Sequence, residues 1–329
     1  MKVLFIGGTG IISSACARLA VEQGLELYFL NRGKTVNRPA PQAVHHLTGD
    51  IRHKPSVQKA LAGLSFDVIV NWIAFTPEHI AQDLNLFAGR TGQYIFISSA
   101  SAYQKPLSKL PITESTPLEN PFWEYSRLKI ACEEKLWQAW RTQKFPVTIV
   151  RPSHTYDKTK LPLSGGYTAV ARMRQGKKVI VPGDGTSLWV LTHHRDFAKG
   201  FVGLLGHKQA IGEAFHITSD EWLTWNQIYQ IIARAAGVEA RITHIPSDLI
   251  AAFNPEWGAG LLGDKSHSVI FDNSKIKQAV PNFKATIPYS QGAKETLDWF
   301  QADPARQVID HQLDQQMDRI IAAYEAAWP

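Results

Sequence analysis

The sequence predicts an α/β fold in which a doubly wound parallel sheet carries helices on both faces. Over residues 1–150, short apolar runs alternate with amphipathic stretches, which is the pattern of successive β-α-β units. A glycine-rich turn, "GGTG" at 7–10, joins the first run to the first amphipathic stretch. After residue 152, "GG" at 165–166 and "GDG" at 183–185 interrupt the rhythm. We therefore expect a smaller, mostly C-terminal region over the carboxyl edge of the sheet.

The predicted elements follow in chain order. Strands are expected at Lys2–Ile6, Glu26–Leu30, Ala43–Leu47, Asp67–Asn71, Tyr94–Ser98 and Val147–Val150. Helices are expected between them at Ser13–Gln23, Ser56–Leu61 and Ile80–Phe87, because parallel neighbours need a crossover connection. A further helix is expected around Tyr125, with Asn120 as its N-cap and Pro121 at its first position.

The composition excludes several classes of protein. The chain has 329 residues, of which 44% are hydrophobic, and no apolar run approaches the ~20 residues that a membrane helix needs. Cys16 and Cys132 have no cysteine or histidine neighbour at ligand spacing, so we expect neither a disulfide nor a metal site and place the protein in the cytoplasm. The net charge is +6, but the 35 basic residues are scattered, which suits an anionic cofactor or substrate at least as well as nucleic acid.

The turn after the first strand has the composition of a phosphate-binding loop. Gly7, Gly8 and Gly10 allow backbone N–H groups to approach a pyrophosphate, and the following helix directs its positive end at the same anion. Ser13 replaces the third glycine of the G-x-x-G-x-x-G spacing and is small enough to keep the helix close to the strand. We therefore predict a dinucleotide-binding fold of the Rossmann type.

The end of the second predicted strand, "YFLNRG", bears on the choice of cofactor. An acidic residue here would bind the ribose 2′-hydroxyl of NAD, but Asn31 and Arg32 stand in its place, with Lys34 close behind. A guanidinium suits a 2′-phosphate, so NADP is favoured over NAD. If Arg32 only stacks on the adenine, the preference stays open.

A tyrosine and a lysine stand one helical turn apart in "WEYSRLKIACEE". Because positions i and i+4 share a helix face, Tyr125 and Lys129 are expected to point at the same spot. A unit charge ~4 Å from a phenol is worth at most about 4 kcal/mol at an effective dielectric of about 20, enough to lower its pKa by up to about three units. Lys129 would thus make Tyr125 a base near neutral pH. Ser99, at the end of the strand "YIFISS", is placed to share a proton with it.

A set of motifs in this order resembles the extended short-chain dehydrogenase/reductase superfamily, which includes the nucleotide-sugar epimerases and dehydratases. They are "GGTGIIS", "GDIR" (49–52), "SSASAY" (98–103), "YSRLK" (125–129), "IVRPS" (149–153) and "HHRDFA" (193–198). The resemblance implies that Ser99, Tyr125 and Lys129 are catalytic, with Lys129 also holding the nicotinamide ribose. It implies a cofactor site formed by Gly7, Thr9, Gly10, Ile11, Ile12, Asn31, Arg32, Asp50, Ile51, Trp72, Ile73, Ala74, Ser98 and Pro152.

The resemblance also divides the chain. Residues 1–152, with 187–218 returning to them, would bind NAD(P), and residues 153–186 with 219–329 would bind the substrate. Ser101, His154 and Trp189 are the expected substrate contacts. Trp189 stands where the family has an arginine that grips a diphosphate, and His154 replaces an asparagine. The basic stretch "RMRQGKK" at 172–178 is interpreted as a solvated helix end rather than a substitute for that arginine.

We expect an NAD(P)-dependent oxidoreductase or epimerase that acts on a hydroxyl carbon of a sugar-like or nucleotide-sugar metabolite. Ala100 and Ser101 stand where a dehydratase has an acidic pair, which disfavours dehydration and leaves simple reduction open. The alternative is RNA binding without redox turnover, because "AIGEAFHITSDEWLTWNQIYQIIARAAGV" also resembles the atypical branch that includes chloroplast stem-loop RNA-binding proteins. A redox-sensing protein that binds NADP without turnover is a third candidate. The resemblance also implies a homodimer.

Overall fold

A seven-stranded parallel sheet forms the centre of the computed structural model, which describes residues 1–33 and 38–327. The strands are β1 (Lys2–Ile6), β2 (Glu26–Asn31), β3 (His45–Thr48), β4 (Phe66–Asn71), β5 (Thr91–Ile97), β6 (Val147–Pro152), β7 (His154–Tyr156), β8 (Lys178–Pro182), β9 (Leu188–Trp189), β10 (Leu191–His193), β11 (Glu213–Ile217), β12 (Leu223–Thr224) and β13 (Arg241–Ile245). The α-helices are α1 (Ile11–Glu22), α2 (Lys54–Ala60), α3 (Pro77–Phe87), α4 (Glu124–Gln143), α5 (Tyr167–Arg174), α6 (His194–Gly203), α7 (Trp225–Ala235), α8 (Ser247–Phe253), α9 (Pro255–Gly260), α10 (Ser274–Ala279), α11 (Tyr289–Gln301) and α12 (His311–Ala326). A π-helical turn, Leu261–Lys265, follows α9.

The strand order in this sheet is β11-β6-β5-β4-β1-β2-β3, and every pair is parallel. The chain runs outwards from β1 in both directions, so the order reverses between β1 and β4. This arrangement confirms the predicted doubly wound α/β fold of the Rossmann type. It also places a ligand crevice at the carboxyl ends of β1 and β4.

The two faces of the sheet are buried in separate cores, because side chains alternate along each strand. Val3 and Phe5 of β1 belong to a core packed under α1 and α6. Leu4 and Ile6 belong to a core packed under α3 and α4. All four side chains are fully buried, as is typical of parallel strands that are covered on both faces.

Another core lies in the region after β6 and joins α5, α7 and α11 to strands β8, β9 and β10. The returning strand β11 pairs with β6, whereas β9 and β10 of the same predicted returning segment, 187–218, pack in this other core. The division into 1–152 with 187–218, and 153–186 with 219–329, stays a prediction.

Helix α4 begins later than predicted. Glu124 is its first residue, so Asn120 and Pro121 precede it and the predicted cap is wrong. The Asn120 Oδ1 accepts the N–H groups of Phe122 and Trp123 in the turn before the helix, and its Nδ2 donates to the carbonyls of Ser101 and Gly263, at 2.9 and 2.6 Å. The two carbonyl partners are remote in sequence, so a local capping rule could not reveal them.

The basic stretch 172–178 is not a solvated helix end. Arg172 is only 2% exposed, and its guanidinium binds Asp314 and Asp318 of α12 at 2.5 and 2.6 Å. Lys177 binds Asp314 at 2.8 Å. This stretch therefore attaches the C-terminal helix to α5 and β8, and its charge is compensated by carboxylates far along the chain.

Two expectations from composition concern membranes and cysteines. Across residues 1–33 and 38–327, no helix is both long and apolar enough to span a bilayer. Cys16 and Cys132 are both buried and not disulfide-bonded. Cys16 packs between α1 and the sheet, and Cys132 between α4 and the opposite face.

Candidate active site

Ser99 and Tyr125 line one cavity of about 370 Å³, which we call the substrate cavity. Ser99 follows β5 at the carboxyl edge of the sheet, and Tyr125 lies in the first turn of α4. The Ser99 hydroxyl acts on the Tyr125 phenol as a hydrogen-bonding neighbour that lowers its pKa. The structure thus brings together two of the residues that the sequence predicted to be catalytic.

A chain of hydroxyl groups leads to Ser99 from the interior. Ser126 Oγ is fully buried and donates to Ser101 Oγ at 2.8 Å. Ser101 Oγ lies 2.9 Å from Ser99 Oγ, and the Ser101 N–H donates to the same atom at 3.2 Å. Either hydroxyl of the Ser101–Ser99 pair can be the donor, and Ser101, which accepts from Ser126, has a proton to donate. When Ser101 donates, Ser99 accepts twice, and its own proton is free for Tyr125 or a substrate oxygen.

Lys129 lies one turn from Tyr125 on the inner side of α4. Its Nζ is 5.8 Å from the Tyr125 ring centre, and the residue is 2% exposed. The ammonium donates to the carbonyls of Ala74 and Ile97, at 2.7 and 2.8 Å. Burial lowers its pKa to about 8. The two side chains share a face, as the i, i+4 spacing predicts, but the ammonium is bound by the backbone where β4 and β5 end.

The expected lowering of the Tyr125 pKa by Lys129 is wrong for this structure. Burial raises the pKa of the phenol above its ordinary value. The hydrogen bond with Ser99 acts in the opposite direction, and the Asp264 carboxylate raises the pKa further. The sequence estimate assumed an ammonium facing the phenol, whereas Lys129 directs its N–H donors to carbonyl groups.

The glycine-rich turn is shaped for a close approach. Gly7 and Gly8 have φ angles of 98° and 113°, and a Cβ on Gly8 would lie 2.7 Å from the Phe29 ring. Ser13 does more than keep the helix close, because its Oγ accepts the Gly10 N–H at 2.8 Å. This bond closes the first turn of α1. The remaining N–H groups at the N-terminus of α1 fit the pyrophosphate of a dinucleotide.

A groove of about 400 Å³ begins at this turn, and we call it the cofactor groove. Many of the predicted cofactor residues line it: Gly7, Thr9, Asn31, Arg32, Asp50, Ile51 and Ile73. Sequence reasoning missed Arg52, Phe75 and His79, which line it as well. Arg52 donates to the Ile73 carbonyl, and it stands in the "GDIR" motif, which is the signal that could have found it. Lys34 lies outside the described residues.

The other predicted cofactor residues do not line this groove. Gly10, Ile11 and Ile12 form the start of α1. Pro152, at the end of β6, lines the substrate cavity instead. These residues flank the predicted path of a dinucleotide between the two cavities.

Trp72, Ala74 and Ser98 are more deeply placed. The Trp72 indole packs on Phe5 and Phe201, with ring centres 5.2 and 4.8 Å apart, so it belongs to the core. Ala74 is buried and presents its carbonyl to the ammonium of α4. Ser98 is buried, and its hydroxyl has no partner within the part of the chain that the structure describes.

The predicted substrate residues Ser101, His154 and Trp189 all line the substrate cavity. Trp189 Nε1 donates to His154 Nδ1 at 3.1 Å. Burial, followed by the charges of Lys265 and Lys160, holds the pKa of His154 well below its ordinary value. His154 is therefore neutral at pH 7, and because Nδ1 accepts from the indole, its proton is on Nε2.

Sequence reasoning missed several residues of this cavity, among them Trp123, Lys160, Asp264, Lys265 and Phe271. Asp264 and Lys265 lie on the π-helical turn Leu261–Lys265. Such turns frequently occur at functional sites, and no local sequence pattern identifies them.

A family model described as "NAD dependent epimerase/dehydratase family" matches residues 3–218. The chain is 26% identical over 272 residues to the chloroplast stem-loop binding protein of 41 kDa b from Arabidopsis thaliana. The aligned region covers 78% of this chain and 66% of that protein. It is 32% identical over 170 residues to a UDP-glucose 4-epimerase from Lactobacillus helveticus, covering 46% of this chain and 51% of that enzyme. The chain thus spans only half to two thirds of these relatives' lengths.

Solved structures share the fold at low sequence identity. The epimerase Mth375 from Methanothermobacter thermautotrophicus has a TM-score of 0.76 and 16% identity, over 93% of this chain and 94% of that chain. A UDP-glucuronic acid 4-epimerase from Bacillus cereus in complex with NAD has a TM-score of 0.72 and 18% identity, over 92% and 99%. These likenesses concern the fold alone.

Proposed function

Because the chain belongs to the NAD-dependent epimerase/dehydratase family, we propose that it uses Tyr125 and Ser99 to oxidise a hydroxyl carbon of a sugar-like substrate. The match to the family model confirms the resemblance seen in the motifs and supports a nicotinamide-dependent enzyme. The observation that carries the proposal is that Ser99 and Tyr125 line the same cavity at the carboxyl edge of the sheet, where the serine hydroxyl lowers the pKa of the phenol. Nucleotide sugars are the substrates named for several relatives, and we extend that class to this chain.

The residues have separate roles in this mechanism. A bound nicotinamide cofactor would supply the hydride acceptor. Tyr125 takes the proton of the substrate hydroxyl, and Ser99 donates a hydrogen bond to the same oxygen. Lys129 contacts the Phe75 ring of the cofactor groove at 4.6 Å and the Tyr125 ring at 5.8 Å, so it links the two cavities. Because its charge does not lower the Tyr125 pKa in this structure, its proposed role is to hold the cofactor beside the phenol.

Return of the hydride to the opposite face of the same carbon gives an epimerase, and release of the reduced cofactor gives a dehydrogenase. Ala100 and Ser101 occupy the positions of a dehydratase's acidic pair, which argues against elimination. We propose epimerisation or simple oxidoreduction as the two reactions compatible with the cavity. Cofactor that stays oxidised and bound through purification favours the epimerase, and reversible exchange favours the reductase.

The first prediction tests the base. Tyr125→Phe removes the proton acceptor and is expected to lower turnover by about 10²- to 10⁴-fold while NAD(P) binding is retained. Turnover is followed by cofactor absorbance with candidate nucleotide sugars, and cofactor binding by calorimetry. Tyr28→Phe, on β2 and outside both cavities, is the matched control and should behave as the parent. Full turnover in the Tyr125→Phe variant would remove the assigned base.

The second prediction concerns NADP, which we propose as the preferred cofactor. Arg32 is exposed and lines the cofactor groove directly after β2. The last residue of β2 is Asn31, not an acidic residue that would bind the ribose of NAD. Arg32→Gln is expected to weaken NADP binding by about 10-fold or more and to leave NAD binding nearly unchanged, because a charge-assisted bond to the 2′-phosphate is lost. Arg90→Gln removes an exposed arginine elsewhere and controls for net charge. Equal losses for both dinucleotides would assign Arg32 to adenine stacking.

A second candidate function is RNA binding, favoured by the chloroplast stem-loop binding relative. It requires an affinity for stem-loop RNA that falls steeply with salt, since each phosphate contact releases counterions. A filter-binding series over increasing salt measures this slope. This candidate is favoured over an oxidoreductase if the protein binds stem-loop RNA but no dinucleotide, and if Arg32→Gln leaves RNA binding unchanged.

A further inference from the structure

The substrate cavity has two ammonium groups that lack a counter-ion. Lys160 and Lys265 line it, and neither has an ion-pair partner among residues 1–33 and 38–327. The one carboxylate of the lining, Asp264, already faces the buried Lys105, whose Nζ is 3.7 Å away. His154 adds no charge, because it is neutral. The cavity therefore has an excess of positive charge before any ligand enters.

The two lysines reach the cavity from different elements. Lys265 ends the π-helical turn, and its Nζ lies 5.4 and 5.9 Å from the ring centres of Trp123 and Trp189. Cation–π contacts with these two indoles hold the ammonium beside the cavity wall. Lys160 is more exposed and follows β7, where its N–H donates to the Asp157 carbonyl.

The two positive charges act on the same neighbourhood. Partial burial and then the Lys265 charge lower the pKa of Lys160, whereas the Asp157 carboxylate, which is already bound to Arg38, raises it. Both lysine charges lower the pKa of His154. Like charges held close together cost free energy unless an anion binds between them. His154 adds a neutral donor, because its protonated Nε2 has no partner within the described ranges.

We propose that Lys160 and Lys265 bind an oxyanion of the substrate, a phosphate or a carboxylate, and thereby position the reacting hydroxyl at Tyr125. The inference rests on the proposed function only in calling the bound molecule the substrate. It also accounts for the tryptophan at position 189, where the family resemblance predicts an arginine. The positive charge comes instead from the segment after β7 and from the π-helical turn.

The test measures anion binding directly, with no turnover required. Inorganic phosphate and malonate are titrated calorimetrically into the full chain and into the variants Lys265→Gln and Lys160→Gln. We expect each substitution to weaken binding of the recognised anion by about 10-fold, because each removes one charge-assisted hydrogen bond. Lys109→Gln, an exposed lysine outside the cavity lining, is the matched control. Lys160 is exposed, so its replacement leaves the fold intact even if Lys265→Gln does not fold.

The outcomes separate the anion sources. Lysine-dependent binding of phosphate alone identifies a phosphorylated substrate, and lysine-dependent binding of malonate alone identifies a carboxylate. Failure of both anions to bind, or binding that neither substitution weakens more than Lys109→Gln does, overturns the proposal. The Tyr125→Phe variant is titrated in parallel and should bind the anion normally. Tyr125→Phe thus tests the proposed chemistry, and the two lysine variants test the anion site.

Discussion

At the scale of single residues, the hydroxyl chain Ser126–Ser101–Ser99 leads from the interior to the phenol of Tyr125. When Ser101 is the donor to Ser99, Ser99 accepts two hydrogen bonds from it, and its own O–H is left to stabilise an ionised Tyr125. Ser126 is fully buried and touches no part of the cavity, yet it completes the polarity of the chain. It is a positioning residue for Ser99 rather than a catalytic one.

The third prediction follows from this polarity. Ser99→Ala is expected to raise the pKa of Tyr125, because the bond that lowers it is lost, and Ser126→Ala to raise it by less. A base that must be ionised then acts only at higher pH, so the rise of activity with pH moves upwards. Ultraviolet titration of each variant against its Tyr125→Phe derivative measures the phenol.

Ser290→Ala, an exposed serine at the start of α11, is the control for serine removal and should leave the titration unchanged. An unaltered titration in Ser99→Ala would mean that the serine does not act on the phenol.

Residue-level prediction from sequence depended on whether the signal was local. Tyr125 and Lys129 were placed on one face because four residues of helix separate them. Their electrostatics could not be predicted in this way. The direction in which the Tyr125 pKa is shifted depends on burial and on Asp264, which lies on a π-helical turn much later in the chain. Lys160 and Lys265 were missed for the same reason.

At the scale of elements, the β1–α1 turn is the best-specified part of the fold. Gly8 has both a positive φ and a side-chain position filled by the Phe29 ring. Gly24, after α1, has a φ of 76° but open space around its Cβ position. A substitution at Gly24 therefore tests backbone strain alone, and one at Gly8 tests backbone strain together with overcrowding.

The fourth prediction compares these two positions. Gly24→Ala is expected to cost about 1–2 kcal/mol of unfolding free energy, from the left-handed backbone alone. Gly8→Ala adds about 1–3 kcal/mol for overpacking against Phe29 and should also abolish dinucleotide binding. Urea unfolding and NAD(P) titration measure the two effects. Equal costs and retained cofactor binding in both variants would show that Phe29 moves aside freely.

Element boundaries illustrate the limit of local rules. The six strands within residues 1–150 were predicted from apolar runs, because parallel strands covered on both faces must be apolar, whereas β7 to β13 were not predicted. The start of α4 was placed too early, because Asn120 makes cap-like bonds to the N–H groups of Phe122 and Trp123 while the helix itself begins only at Glu124. Its Nδ2 also binds the carbonyls of Ser101 and Gly263, which no local rule reveals.

At the scale of the whole molecule, Arg172 joins the C-terminal helix to the rest of the chain. Its guanidinium contacts two carboxylates of α12 and the Lys178 carbonyl, and it is almost wholly buried. The sequence suggested the fold class and the order of the sheet motifs, because these depend on hydrophobic pattern. It could not suggest how the last helix docks, because docking depends on charges paired across more than a hundred residues.

The fifth prediction tests this docking. Arg172→Met leaves Asp314 without its buried partner and is expected to cost about 3 kcal/mol of unfolding free energy, near the low end for such losses because Lys177 remains. Lys294→Met breaks an exposed pair with Asp298 and should change stability little. Thermal and urea unfolding of both variants provide the comparison. A cost no greater than that of Lys294→Met would show that α12 docks without the arginine.

Lys129 has a structural role in addition to its proposed role in the reaction. Its ammonium satisfies two main-chain oxygens, at Ala74 and Ile97, in a place that water does not reach. We expect a related protein without redox activity to keep this lysine, because it satisfies two buried carbonyl groups. The neighbouring tyrosine could be substituted in such a protein. Among paralogues of this chain, the presence of the tyrosine, and not that of the lysine, should therefore distinguish catalytic members from non-catalytic ones.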